Sequence, residues 1–270
     1  MTRRAFIAGL ALGPLLAGCG IRDLLDFGPD PAARGVGVML LHGKLGDPAT
    51  DFAELAPALR RAGYVVAAPE LPWSQRRRFD GALDEALDQI ADEVAGLRWQ
   101  GLHRVVLGGF SMGGNLALAY AARRDDVDAL IALGAGFTPE RPTFRTAVAS
   151  AVEAARAASV AGRGDAVGSY LDFAYDGAVY PLDARARAYL SYYAPNGGAV
   201  MPLNALRLTR ALPVLWVVGR GDSVIVADRS YVFDRLPAHR DSRYVTIEAG
   251  HLDTPAKAAP AIVSWLSDLS

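Results

Sequence analysis

Ser111 is the residue of this sequence that is best placed to act as a nucleophile. Gly109 and Gly113 flank it in a G-x-S-x-G pattern. The apolar residues 105–107 before the pattern predict a buried strand, and the good helix formers at 115–120 predict a helix after it. A serine on so sharp a turn has its hydroxyl lifted clear of the sheet, while side chains at the two glycine positions would clash with the strand and helix. The pattern therefore predicts nucleophilic chemistry at the Ser111 hydroxyl.

Three further motifs stand directly after predicted buried strands. They are His42-Gly43-Lys44 after residues 36–41, Gly219-Arg220-Gly221-Asp222 after residues 213–218, and Gly250-His251 after residues 243–248. The first two of these runs are apolar throughout, as is typical of buried parallel strands, and residues 243–248 are predicted to form the last strand. Four motifs at strand ends in this order, counting the serine turn, are hard to obtain by chance.

The four motifs in this order resemble the α/β-hydrolase superfamily, and the resemblance covers residues 36–269 apart from an insertion. It implies that Ser111 is the nucleophile and that His251 takes and returns its proton. It also implies that Asp222 orients the imidazole and stabilises its charged form. Two other acids stay open as alternatives for this last role, namely Asp228 and Glu140.

The resemblance also assigns a role to the loop after the first predicted strand. In the family, the residue after His-Gly and the residue after the nucleophile donate backbone N–H groups to an oxyanion, which implies Lys44 and Met112 here. Each such donor is typically worth about 3 kcal/mol. Gly43 belongs to this loop, and we expect His42 to shape it by hydrogen bonding, because the base of this family comes late in the chain. We expect the Lys44 side chain to be solvated.

The activity implied by the resemblance is hydrolysis of a small carboxylic ester or thioester through an acyl-enzyme, with no metal or organic cofactor. A serine nucleophile argues against dehalogenase and epoxide-hydrolase chemistry, which in this fold uses aspartate. A serine peptidase of the same fold and a catalytically silent binding protein stay open as alternatives. A peptidase should have charged anchors for chain termini in its pocket, whereas an esterase should have an apolar slot.

The expected fold class is α/β, with a mostly parallel, doubly wound sheet of about six strands. Residues 36–270 would form this domain, with a helical cap inserted at about 137–211, before the strand that carries the acid. The inserted segment is rich in alanine, which predicts a helix, and then in tyrosine. The tyrosines are candidates for lining an apolar pocket, and packing of a helical cap is the favoured interpretation for any single one. Trp73, which follows a further predicted strand at 64–68, is a candidate for the pocket wall or for core packing.

The start of the chain has the features of a bacterial export signal. A basic start precedes an apolar stretch that is too short to span a bilayer comfortably, and residues 2–7 (TRRAFI) resemble a twin-arginine motif. Residues 16–19 (LAGC) resemble a lipobox, in which the cysteine is acylated and becomes the mature N-terminus. We expect residues 1–18 to be a signal peptide, Cys19 to carry a lipid anchor to the cell envelope, and residues 19–35 to be a tether. An ordinary signal with an incidental cysteine is the alternative.

Composition narrows the class of protein further. The chain has 270 residues, is 51% hydrophobic and 21% charged, and carries a formal net charge of −1. This balance gives no reason to expect binding to nucleic acid. The single cysteine excludes an internal disulfide and any cysteine-rich metal site.

Overall fold

The computed structural model describes residues 35–269 and contains a sheet of six parallel strands. The described residues contain eight strands, of which six form this sheet and two form a separate hairpin. In chain order they are β1 (Val36–Leu41), β2 (Val65–Ala67), β3 (Arg104–Phe110), β4 (Ala129–Leu133), β5 (Val167–Phe173), β6 (Val179–Arg185), β7 (Val214–Gly219) and β8 (Arg243–Ile247). The sheet order is β2-β1-β3-β4-β7-β8, and every neighbouring pair is parallel. The predicted α/β class and six-stranded sheet are confirmed.

Nine α-helices accompany the strands within the described residues. They are α1 (Pro48–Asp51), α2 (Leu55–Arg61), α3 (Leu83–Trp99), α4 (Met112–Ala121), α5 (Pro142–Val160), α6 (Ala186–Tyr193), α7 (Met201–Arg207), α8 (Thr254–Lys257) and α9 (Ala259–Asp268). None of them has the length and apolar character that crossing a membrane requires. The predicted signal peptide, the lipidation site Cys19 and nearly all of the predicted tether lie outside residues 35–269.

The central strands are apolar throughout because both faces of the sheet are covered by helices. On β1, Met39 and Leu41 belong to a buried cluster that includes residues of α3 and α4. Val38 and Leu40 point the other way, into a second cluster with residues of α2 and α9. This two-sided burial produces the continuous apolar runs from which the strands were predicted.

The inserted segment, residues 137–211, is a cap of mixed structure. Helices α5, α6 and α7 occur there as expected, and β5 and β6 form an antiparallel hairpin between α5 and α6 that was not predicted. The signal for the hairpin was Asp176-Gly177, a dipeptide typical of tight turns, and Gly177 has φ +82°. Buried Asp172 obscures the period-two apolar pattern of β5.

Three of the six cap tyrosines pack against one another. The rings of Tyr170 and Tyr189 stack at 4.6 Å between centroids, and those of Tyr189 and Tyr193 at 4.3 Å. All three side chains are buried. Tyr175, at the tip of the hairpin, is 67% exposed instead. Packing thus explains the conspicuous tyrosine content of this segment, and the hairpin tip is left free to line an opening.

Candidate active site

Ser111 lies on the sharp turn between β3 and α4, in a backbone conformation that non-glycine residues seldom adopt. Its φ is 52° and its ψ is −119°. The flanking glycines are required by space: a Cβ on Gly109 would lie 2.2 Å from the carbonyl carbon of Gly113, and one on Gly113 would lie 2.0 Å from the carbonyl oxygen of Leu41. The surrounding backbone therefore holds Ser111 in its strained position, at the edge where β3 ends.

His251 and Asp222 reach the same edge from the loops after β8 and β7. The Nε2 atom of His251 is 2.9 Å from the Ser111 Oγ, and its Nδ1 atom is 2.8 Å from the Asp222 Oδ2. An ionised Asp222 can only accept a hydrogen bond, so the neutral imidazole carries its proton on Nδ1. The lone pair of Nε2 then faces the Ser111 hydroxyl. Three residues that are distant in sequence thus form one hydrogen-bonded row.

The row is largely shielded from solvent. The side chain of Asp222 is fully buried and that of His251 is 9% exposed. The second carboxylate oxygen of Asp222 accepts the N–H of Val224 at 3.0 Å, which fixes the carboxylate plane. Gly134 leaves room for this arrangement, because a Cβ there would lie 3.1 Å from the Asp222 Oδ2. The carboxylate and imidazole are therefore held in place before any ligand binds.

The two alternative acids have other partners. Asp228 accepts the backbone N–H of Ser230 at 2.9 Å and caps a short 3₁₀ turn. Glu140 accepts a hydrogen bond from the Tyr231 hydroxyl. The acid in contact with His251 is Asp222.

The loop after β1, residues 42–46, borders Ser111 and is held by several hydrogen bonds. His42 is fully buried, and its Nε2 accepts the N–H of Leu71 at 3.1 Å. Its Nδ1 lies 2.8 Å from the carbonyl oxygen of Gly43 and must then be the protonated nitrogen. His42 therefore shapes the loop, as expected. The Gly43 N–H donates to the Asp51 Oδ2 at 2.8 Å, a contact for which the sequence offered no local signal.

The residues predicted to supply oxyanion donors, Lys44 and Met112, line the same cavity as Ser111. Met112 is the first residue of α4, a position whose N–H has no intrahelical partner. Within residues 35–269, neither the Met112 N–H nor the Lys44 N–H donates to a protein acceptor. Both N–H groups are thus unoccupied by the protein at the edge of the cavity.

The Lys44 side chain is not solvated, contrary to expectation. It is 16% exposed, and its ammonium forms an ion pair with Asp172 of β5 at 2.6 Å. Burial lowers the pKa of Lys44, while the neighbouring Asp172 carboxylate acts in the opposite direction. The partner lies 128 residues away in sequence, so no local pattern around Lys44 predicts this ion pair.

Trp73 does not form the pocket wall. Its side chain is fully buried, and its indole N–H donates to the carbonyl oxygen of His42 at 2.9 Å. It packs edge-on against Tyr192 of α6, with ring centroids 6.4 Å apart. Of the two roles considered for this residue, core packing is the one that the structure shows.

A cavity of about 360 Å³ opens above Ser111, between the sheet edge and the cap. Eight of its sixteen lining residues are the aliphatic or aromatic Phe137, Phe144, Phe173, Ala174, Tyr175, Val224, Ile225 and Val226. Its charged lining residues are two cations, Lys44 and Arg141. A second, open groove continues from the cavity past His251 and Leu252. The site can therefore hold a molecule with both apolar and polar parts against the serine hydroxyl.

Residues 35–269 contain no group of three or more His, Cys, Asp or Glu side chains that could hold a metal ion. The chemistry available from the side chains present is proton transfer between Ser111, His251 and a bound molecule.

Residues 38–261 match the Alpha/beta hydrolase family. The matched span includes Ser111, Asp222 and His251, and it covers most of the chain. The chain therefore belongs to the α/β hydrolase family.

Individual relatives are more distant. A thermostable monoacylglycerol lipase from Bacillus sp. (strain H-257) is 32% identical over 102 residues, which is 37% of this chain and 40% of that protein. The chain thus matches about two fifths of that relative's length.

Solved structures show the same fold over most of the chain. The monoacylglycerol lipase of Paleococcus ferrophilus has a TM-score of 0.61 and 23% identity, over 89% of this chain and 96% of that one. A structure from the metagenome-derived lipolytic enzymes LipS and LipT has a TM-score of 0.58 and 20% identity, over 85% of this chain and 90% of that one. At these identities the likeness establishes the fold.

Proposed function

We propose that this protein is a serine hydrolase that cleaves a carboxylic ester through a Ser111–His251–Asp222 triad. The single observation that carries the proposal is the hydrogen-bonded row at the floor of the cavity, with distances of 2.9 Å and 2.8 Å. Such a row has little structural purpose on a strained turn, but it is what activation of a serine hydroxyl requires.

The reaction proceeds in two halves. His251 Nε2 removes the Ser111 proton as Oγ attacks the carbonyl carbon of the ester. The resulting oxyanion is held by the backbone N–H groups of Lys44 and Met112, while Asp222 stabilises the imidazolium. The tetrahedral intermediate collapses, His251 returns the proton to the leaving alcohol, and an acyl-Ser111 remains. Water, deprotonated by His251, then releases the acid and restores the enzyme.

The lining of the cavity favours an ester over a peptide. Aromatic and aliphatic side chains make up half of its lining residues, and no acidic residue lines the cavity itself to bind a peptide amino terminus, although Asp176 and Asp253 line the adjoining groove. The names of the relatives, which include monoacylglycerol lipases, agree with an ester substrate. A thioester could react by the same steps.

We also propose that the protein is held at the bacterial cell envelope by a lipid on Cys19. The support is the sequence around this residue, where Leu-Ala-Gly precedes the single cysteine of the chain.

Labelling with a fluorophosphonate probe tests the triad. The 270-residue chain should be labelled, whereas Ser111→Ala and His251→Ala should lose labelling. Ser223→Ala provides a matched control, because Ser223 lines the same cavity but does not contact His251. Wild type and Ser223→Ala should also hydrolyse p-nitrophenyl esters, and a series of increasing acyl length would show what the cavity accepts.

A folded wild type that is neither labelled nor active on these esters would contradict the proposal. It would favour the alternative of a catalytically silent binding protein on the same scaffold.

A further inference from the structure

The ammonium of Lys44 joins the loop after β1 to the hairpin of the cap. It donates to the Asp172 Oδ1 at 2.6 Å and to the carbonyl oxygen of Phe173 at 2.7 Å. Both acceptors belong to the last two residues of β5. The exposed fractions of the two charged side chains are 16% and 5%, so the ion pair is shielded from water. One side chain thus links the sheet side of the cavity to the cap side.

The cap presents these acceptors from a fixed position. The Tyr193 hydroxyl of α6 donates to the same Asp172 oxygen at 2.7 Å. Tyr189, one turn earlier, donates to the carbonyl oxygen of Leu171 at 2.6 Å. The end of β5 is therefore tied to α6, and the Lys44 ammonium is held by a rigid partner.

On the sheet side of the cavity, the position of Lys44 depends on this ion pair more than the positions of its neighbours Gly43 and Leu45 do. Gly43 is fixed through Asp51, and the Leu45 N–H donates to the carbonyl oxygen of Trp73 at 2.8 Å. Among the described residues, the hydrogen bonds that Lys44 itself makes are those of its ammonium to Asp172 and Phe173. The position of Lys44, which lines the same cavity as Ser111, is thus connected to the position of the cap hairpin.

We propose that Lys44 is a positioning residue: its side chain binds the cap hairpin and thereby places its own backbone N–H for the oxyanion. This inference rests on the proposed serine hydrolase function. It adds that the oxyanion site depends on the position of the cap hairpin. When the hairpin is seated, Phe173 and Tyr175 close one side of the cavity and the Lys44 N–H is in place at the other. When the link is broken, both the wall and the donor are displaced.

Two single variants test the link. Lys44→Met keeps the backbone N–H and a long, unbranched side chain but removes the ammonium. Asp172→Asn removes the opposing negative charge. The substrate is p-nitrophenyl acetate, because its acyl group is too small to need the cap wall for binding. We expect kcat to fall by at least about tenfold with KM changed less, since a misplaced oxyanion donor weakens the transition state more than the substrate complex. Outright removal of such a donor typically costs about 100- to 1,000-fold.

Arg98→Met is the matched control. It breaks the ion pair between Arg98 and Asp128, which lies at the amino-terminal edge of the sheet, away from Ser111. The melting temperature of every variant is measured, and kinetics are recorded well below it, so that a loss of stability is not counted as a loss of kcat. The control should keep the wild-type kcat.

If a single variant does not fold, Lys44→Met combined with Asp172→Leu removes both charges and leaves an apolar pair. The ammonium contacts are still absent, so kcat should stay low.

Wild-type kcat in folded Lys44→Met, or in the folded double variant, would overturn the inference while leaving the proposed function intact. A wild type that is neither labelled by the fluorophosphonate nor active would overturn both. Low kcat in the variants beside an active wild type and an active Arg98→Met would support the link.

Discussion

His42, in the loop after β1, is a buried histidine, and both of its ring nitrogens form hydrogen bonds. Its Nδ1–H donates to the Gly43 carbonyl oxygen and its Nε2 accepts the Leu71 N–H. A protonated imidazole could not accept that second hydrogen bond. Burial is the largest influence on this group, and it lowers the pKa of His42 below the ordinary 6.5. The loop that carries Gly43 and Lys44 therefore depends on a neutral histidine.

This dependence predicts a loss of stability in acid. Below about pH 6.5 the unfolded chain binds a proton at this imidazole while the folded chain does not, so the unfolded state gains stability as the pH falls. In His42→Gln the side chain cannot titrate. Its melting temperature should therefore drop less between pH 7.5 and pH 5.5 than that of wild type, by about 2 °C or more.

Differential scanning fluorimetry at the two pH values measures the effect. His103→Gln, which replaces an exposed histidine, is the control. An acid-induced drop in His42→Gln as large as that in wild type would show that His42 does not carry this pH dependence.

At the scale of elements, helix α4 approaches β1 so closely that the contact admits no side chain. Gly113 lies against the carbonyl oxygen of Leu41, where a Cβ would be 2.0 Å away. Gly96 in α3 is the opposite case, because a Cβ there would meet nothing within 4 Å. One helix glycine is required by packing, and the other costs helix stability without any packing reason.

Alanine at these two positions should act in opposite directions. Gly113→Ala should destabilise the fold by more than about 3 kcal/mol, because neither backbone can give way without separating α4 from β1. Gly96→Ala should stabilise it by about 0.5–1 kcal/mol, the usual difference between glycine and alanine inside a helix. Urea denaturation of the two variants beside wild type measures both free energies. A Gly113→Ala variant as stable as wild type would mean that α4 and β1 are not in this close contact.

At the scale of the whole molecule, the first described residue and the candidate active site lie toward opposite edges of the sheet. The described chain enters at Gly35, just before the amino end of β1. Ser111, Asp222 and His251 follow the carboxyl ends of their strands.

Lipidation at Cys19 can be tested directly because the chain has one cysteine. Cells that express the 270-residue chain and are fed an alkynyl palmitate should yield a labelled protein, and Cys19→Ala should lose at least about nine tenths of the label. The physical reason is that an acyl group at this motif requires the cysteine thiol. Ser111→Ala should be labelled like wild type, since it leaves the motif intact. Equal labelling of Cys19→Ala, or none of wild type, would refute the lipid anchor.

Much of the fold followed from local patterns. Continuous apolar runs such as residues 213–218 predicted buried parallel strands, because a sheet covered on both faces needs apolar residues at every position. Glycine spacing around Ser111 predicted the sharp turn, because only residues without a Cβ fit there. The motifs after the strands placed Asp222 and His251 at one sheet edge with Ser111, since the loops that follow parallel strands share an edge.

The amino-acid sequence by itself thus determined the fold class and which residues stand at the strand ends. Only the tertiary structure decided how Lys44, Trp73 and the cap are used. Lys44 is buried because its ammonium forms an ion pair with Asp172, which lies 128 residues away in sequence. Trp73 lies in the core, where its indole N–H donates to the carbonyl oxygen of His42 and its ring packs against Tyr192. These contacts join segments that are far apart in the chain. A local sequence pattern does not determine which distant residue a side chain contacts in the folded protein.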